Sequence, residues 1–224
     1  MRFREILKKC LHNKSFITGS CMIGLMLLIM VVGFFYLPYD PDAMDTPNKL
    51  QFFSAAHPLG TDQFGRDILS RIMEGTRVSF LVGALTVVFG LVVGGTIGSI
   101  AGYYGGKIDE VIMKLIDTQM AFPGVLLALM LIAVFGNSLQ NLILALGVMS
   151  IPRFARISRS GFIKYRDAEF IKAARSRGAG DGRIIFLHIL PNIVPELIVT
   201  SSLGFAGAVT VSYTHLTLPT TSRV

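Results

Sequence analysis

The residues able to do chemistry in this chain are few, and their spacing excludes more than it allows. The densest group lies in "HPLGTDQFGRDILSR", residues 57–71, which holds His57, Asp62, Arg66 and Asp67. A catalytic carboxylate pair is conceivable there, but no nucleophile or metal-ligand spacing accompanies Asp62 and Asp67. Read locally, "LGTD" is a turn to which Gly60 lends flexibility. Asp62 is placed to cap a helix starting near Gln63, and Arg66 and Asp67 to pair with neighbours. The nearest approach to a phosphate loop is "GYYGGKID". Its Gly106-Lys107 is followed by Ile108 rather than Ser or Thr, and Ala101 stands where the first Gly is needed. Cys10 and Cys21 are the only cysteines, one in a basic stretch and one in an apolar run, so no disulfide framework is implied. The chain reads as neither an enzyme nor the holder of a metal or cofactor.

The elements that carry these residues belong to a membrane protein. Of 224 residues 52% are hydrophobic, mean hydropathy is +0.60, and 16% are charged, against roughly 25% in soluble domains. A basic start (residues 1–15) leads into an uncharged run at 16–37, long enough to cross a bilayer. That run is too long for a signal h-region and is read as a retained first helix. A second span covers about 78–103, and in it Gly90, Gly94, Gly98 and Gly102 recur every four residues. On a helix they form a bare ridge suited to close helix packing, or to sliding or hinging during a transport cycle. A third span ends at Phe135, with Pro123 expected to kink it. Its body starts near Phe122 or, if earlier, near Val111. Asp117, Thr118 and Gln119 then lie inside it or at its cytoplasmic end. The fourth runs from about Leu139 to Ile157, and the fifth begins after Pro191, with Glu196 near its start. Polar groups at membrane depth point to function; an interfacial location is the other reading of Asp117 and Glu196.

Charge placement orients the chain. Residues 152–190 hold nine Lys or Arg and three Asp or Glu, whereas 38–65 hold one Lys and four Asp. By the positive-inside rule the N-terminus and 158–190 are cytoplasmic, and 38–77 lie outside. The net charge of +7 therefore reports membrane orientation, not nucleic-acid binding. The cytoplasmic stretch "DAEFIKAARSRGAGDGRIIFLHILPN" is long for a chain with such short turns. "AEFIKAARSRG" suits a helix ended by Gly178 in the left-handed region. "RIIFLHIL" suits a second short helix stopped by Pro191. Ala173, Ala174 and Gly178 fall on roughly one face, which suits insertion into a groove on another protein. Lys172, Arg175 and Arg177 suit equally a helix lying on the anionic inner leaflet.

The run Ala173-Ala174, three residues, Gly178, then on to Leu190-Pro191 resembles the "EAA" loop of bacterial ABC-importer permeases. Lys172 stands where that pattern has Glu, and His188 where it has Ile. The resemblance implies that this loop forms the coupling helix that docks into a cleft of a cytoplasmic ATPase. The segment 57–80 is similar to the stretch before the second membrane helix in the dipeptide/oligopeptide/nickel permease group, second-permease type. His57, Leu59, Gly60, Thr61, Asp62, Gly65, Arg66, Asp67, Ser70 and Arg71 match it.

This resemblance implies an all-α polytopic bundle with five spanning helices here of an expected six, N-terminus cytoplasmic, in the bacterial inner membrane. It implies a permease core over 78–210 that shares its pathway with a second permease. Two ATPase subunits would carry ATP and Mg, and an extracytoplasmic protein would deliver peptides or similar small solutes. An ion-gradient-driven secondary transporter or channel is the alternative, for which Asp117 and Glu196 are the candidate ionisable groups. The stretch 211–224, "VSYTHLTLPTTSRV", is polar and does not fit the group's pattern; it is expected not to be native.

Overall fold

The computed structural model describes residues 12–136 and 138–211. The stretch 212–224, almost all of the tail expected to be foreign, and most of the basic N-terminus lie outside the described residues. Helix is the only regular structure among the described residues; strand pairing is confined to one isolated bridge, Thr61 with Asp67. The helices are α1 (Lys14–Phe35), α2 (Ile68–Tyr104), α3 (Gly106–Met120), α4 (Gly124–Phe135), α5 (Leu139–Arg166), α6 (Glu169–Ser176) and α7 (Asp181–Val211). They fall into two compact units, residues 1–80 and 81–224.

In the first unit α1 is capped by Asn13, whose Oδ1 accepts from the amides of Ser15 (3.0 Å) and Phe16 (3.3 Å). Its 22 residues rise about 33 Å, enough for a hydrocarbon core of about 30 Å. Only 6% of its apolar window is buried, as suits a helix facing lipid. The expected second span begins ten residues early, at Ile68. The cap is Asp67, whose Oδ2 accepts from the Ser70 amide at 2.8 Å, not Asp62 ahead of Gln63. No helix can start at Gln63 because Gly65 takes φ +79, and its amide instead closes a tight turn onto the Asp62 carbonyl at 3.0 Å.

The second unit is built on close helix contact. The glycine ridge of α2 lies directly against α5: a Cβ at Gly90, Gly94, Gly98 or Gly102 would approach atoms of Ser150, Ile151, Ala155 or Arg159 to under 3.0 Å. Three of those four contacts are with backbone carbonyls, so the two helices pack main chain to main chain. Around this seam Phe154, Phe162, Ile171, Ile184, Ile189 and Ile193 are fully buried, with Tyr103 beside them.

Pro123 does more than kink the third segment. It has no N–H and disfavours helix at Phe122, so α3 and α4 meet at 83°. Ser138 caps α5, its Oγ accepting from Asn141 at 3.2 Å. Asn141 in turn donates to the carbonyls of Phe135 (2.7 Å) and Gly136 (2.9 Å). Pro191 does not stop a short helix. Residues 184–189 form a π-helical stretch within one 31-residue helix. Widening the turn there shifts the hydrogen-bond register, so that Leu190 donates to Ile185. Pro191, which cannot donate, follows at the point where the ordinary register resumes.

Three helices, α1, α2 and α7, are long and apolar enough to cross a membrane, and a fourth crossing is made if the bent pair α3–α4 counts as one. Against the five expected, α5 is the helix that does not meet the apolar criterion. Its 28 residues carry Arg153, Arg156, Arg159, Lys164 and Arg166.

Candidate coupling loop and its supports

After α5 ends at Arg166, two residues turn the chain into α6. Glu169 lies in its first turn and Arg175 in its last, each favourable to the helix dipole. Ile171 (0% exposed) and Ala174 (3%) face the core of the second unit, whereas Lys172, Ala173, Arg175, Ser176 and Arg177 face outward. The shared face expected for Ala173, Ala174 and Gly178 therefore divides. Ala174 turns inward because it follows Ile171 by three positions and completes the apolar stripe of this short helix, and Ala173 and Gly178 remain outside. Lys172 and Glu169 pair at 2.9 Å on the surface, where such a pair contributes little.

Gly178 ends α6 as expected. At φ +81 it lets its own amide reach the Arg175 carbonyl (2.9 Å) and the Ala179 amide reach that of Ala174 (3.1 Å). This double closure needs a left-handed residue. A Cβ at Gly178 would meet nothing within 4 Å, so glycine is required here by the backbone and not by crowding within the chain. Leu190 is half-buried and Pro191 exposed; both belong to α7, on the far side of the loop. Arg175 and Asp181 both hydrogen-bond the hydroxyl of Tyr103 at the end of α2.

The motif at 57–71 is a closed hydrogen-bond knot. Asp67, 2% exposed, meets His57 Nδ1 with Oδ1 (3.0 Å) and takes the amide and hydroxyl of Ser70 on Oδ2 (both 2.8 Å). Ser70 Oγ accepts from the Tyr39 amide at 3.1 Å, and the Tyr39 ring stacks on His57 at 4.6 Å. Asp62 accepts from the amides of Phe64 and Arg66, from Arg66 Nε (2.9 Å) and from Arg71 Nη1 (2.5 Å). Thr61 Oγ1 donates to the Asn48 carbonyl and accepts from the Gln51 amide. Gly60 (φ +77) and Gly65 sit where a Cβ would strike the carbonyls of Gln51 and Asp45. Burial pushes both carboxylates up, but the hydrogen bonds they accept outweigh it. Asp62, held by Phe64 and Arg66, and Asp67, held by Ser70 and His57, both end below the ordinary carboxylate value. Groups pinned this way hold structure and are poor proton donors near neutral pH. No group of three potential metal ligands occurs among the described residues.

Sequence reasoning missed a ladder between α3 and α5. Asp109 takes both Nε and Nη2 of Arg159, Asp117 pairs with Arg156 at 2.6 Å, and Gln119 donates to the Val148 carbonyl at 2.6 Å. Glu196 is paired too, at 3.8 Å from Lys164. The signal present in the sequence is the three-residue spacing of Arg153, Arg156 and Arg159, which places them along one side of a helix.

Comparison with known proteins agrees with this architecture. Residues 94–218 match the family described as binding-protein-dependent transport system inner membrane component, and residues 2–54 match the N-terminal TM domain of oligopeptide transport permease C. The dipeptide transport system permease protein DppC of Alkalihalophilus pseudofirmus is 42% identical over 207 residues, covering 92% of this chain and 68% of the relative. The glutathione transport system permease protein GsiD of Pectobacterium atrosepticum is 37% identical, covering 90% of this chain and 67% of the relative. The nickel transport system permease protein NikC of Escherichia coli K12 is 38% identical, covering 81% and 66%. These relatives are transport permeases, not enzymes. The chain belongs to the binding-protein-dependent transport system inner membrane component family, within the dipeptide/oligopeptide/nickel group of ABC-importer permeases.

Proposed function

We propose that the chain is a permease subunit of an ATP-driven importer in the bacterial inner membrane. It forms a pathway for peptides or similar small solutes together with a second permease. Two cytoplasmic ATPase subunits supply ATP and Mg chemistry, and an extracytoplasmic binding protein delivers the solute. Five segments cross the membrane, with Met1–Lys14 and 158–190 cytoplasmic and 38–77 outside. The coupling surface comprises Lys172, Ala173 and Gly178 on the outer side of α6, supported from within by Ala174 and, on α7, by Leu190 and Pro191. The ridge Gly90, Gly94, Gly98 and Gly102 is the seam that must hold while the bundle changes state. His57, Gly60, Thr61, Asp62, Gly65, Arg66 and Asp67 brace the outer end of α2.

The observation that carries this reading is the construction of α6. It is a short helix seated on the core by Ile171 and Ala174 and stopped by Gly178, and it leaves Ala173, with Lys172 and Arg177 beside it, exposed toward a partner. ATP binding elsewhere biases a two-state bundle only through a contact that differs between the states, and this exposed helix suits that contact. The ion-gradient alternative is weakened because both of its candidate carboxylates, Asp117 and Glu196, are ion-paired. Co-purification from detergent-solubilised membranes tests the reading. The ATPase subunits are expected to travel with the wild-type chain and to be lost with Ala173→Trp, while membrane insertion is unchanged. Equal recovery with both would contradict the coupling assignment.

A further inference from the structure

A single hydroxyl joins the three elements that a coupling motion has to move together. Tyr103 is the penultimate residue of α2, 6% exposed. Its OH donates to Asp181 Oδ1 at 2.5 Å and accepts from Arg175 Nη2 at 3.0 Å, and the Arg175 guanidinium also lies 5.7 Å from its ring. Arg175 is in the last turn of α6 and Asp181 is the first residue of α7. Both side chains reach over the break at 177–180 to the same oxygen. One residue after Gly102, Tyr103 also continues the helix whose ridge lies against α5. The ring sits in the core with Ile171, Ile184 and Ile189, so the oxygen is fixed in place and both of its hydrogen-bonding roles are occupied.

We propose that Tyr103 is a positioning residue for coupling: it passes displacement of α6 to the inner ends of α2 and α7. This rests on the permease reading above. A push on α6 moves Arg175, and through one oxygen that movement reaches Asp181 and the end of α2 together. Without that oxygen, α6 is held to α2 by apolar contact and by the Arg175 guanidinium lying against the ring, which are less directional and permit slip, whereas a charge-assisted hydrogen bond fixes direction and distance.

The test is Tyr103→Phe, which keeps the ring and removes both hydrogen bonds. The assembled importer is reconstituted in proteoliposomes, and ATP hydrolysis and uptake of the dipeptide Ala-Ala are measured together. Uptake per ATP is expected to fall roughly tenfold, the effect of losing a hydrogen bond to a charged group, with hydrolysis, which the partner ATPases carry out, retained. Asp181→Asn is expected to lower the same ratio, and the double variant to be no worse than Tyr103→Phe alone, as for residues acting through one contact. Unchanged uptake per ATP in Tyr103→Phe overturns the proposal. So does a parallel loss of hydrolysis and uptake, which marks a merely structural role. Absence of ATP-dependent uptake of Ala-Ala by the wild-type assembly, and equally of glutathione and of nickel, the solutes for which the relatives are named, would instead refute the permease reading.

Discussion

Adding one methyl group to the glycine ridge should separate packing from helix propensity. At Gly94 a Cβ would lie 2.5 Å from the Ile151 carbonyl oxygen and 3.0 Å from Phe154 Cβ, whereas ordinary contact begins at 3.4 Å. The helices must part there by about 0.9 Å, and the obstacle is backbone that cannot rotate away. Overpacking of this kind costs about 1–3 kcal/mol. Gly207, in the body of α7, is the control, because its Cβ would meet nothing within 4 Å. Both substitutions to Ala gain the same helix preference, about 1 kcal/mol, so their difference isolates the packing cost. With about 2–4 °C per kcal/mol for a chain of this size, Gly94→Ala should melt about 2–12 °C below Gly207→Ala when followed by circular dichroism in detergent. Indistinguishable midpoints would refute main-chain packing of α2 on α5.

Three further outcomes follow from particular residues. Asp62 and Asp67 have folded pKa values below their ordinary 3.8, so the stabilisation they give the 57–71 knot is complete above 3.8 and is lost as pH falls from there through the lower folded values. Amide exchange over residues 50–68, referenced to α5 in the same sample, should be constant from about pH 8 to 5 and rise only below about 4; a rise near pH 6 would contradict the assignment. Gly178→Ala places a Cβ at φ +81 in open space, costing about 1 kcal/mol. It should speed exchange of α6 amides about fivefold, and Gly178→Asn should do so less; no change in either would remove the backbone explanation. In intact cells of a strain carrying a version without Cys10 and Cys21, Ser54→Cys should react with an impermeant thiol reagent and Ser176→Cys should not. The reverse pattern would invert the topology.

The ridge and the stop at Gly178 were legible in the sequence because each depends on local spacing alone. Four glycines at intervals of four define one stripe on any helix, and a glycine after an amphipathic turn needs no tertiary information. The break at Pro123 was legible for the same reason, although its angle was not. Three other features depended on distant partners. Asp67, and not Asp62, caps α2, because the choice is made by Gly65 lying over the Asp45 carbonyl. Pro191 lies inside a helix because a π-helical turn absorbs its missing donor, and propensity reasoning treats that proline as an end. Ala174 turns inward because Ile171, three positions earlier, is drawn into the core of the second unit, which spacing within the loop does not reveal. Sequence alone leaves Asp117 either intramembrane or interfacial, because its partner, Arg156, lies 39 positions later.

The central claim is that ATP consumed by partner subunits, and no ion gradient, drives solute through this chain. It is tested most directly by dipeptide uptake into proteoliposomes holding the assembled importer and its binding protein. Uptake should require internal or external ATP on the α6 side alone and should persist when ionophores collapse every ion gradient. Uptake that proceeds without ATP and stops with the ionophores would contradict the account.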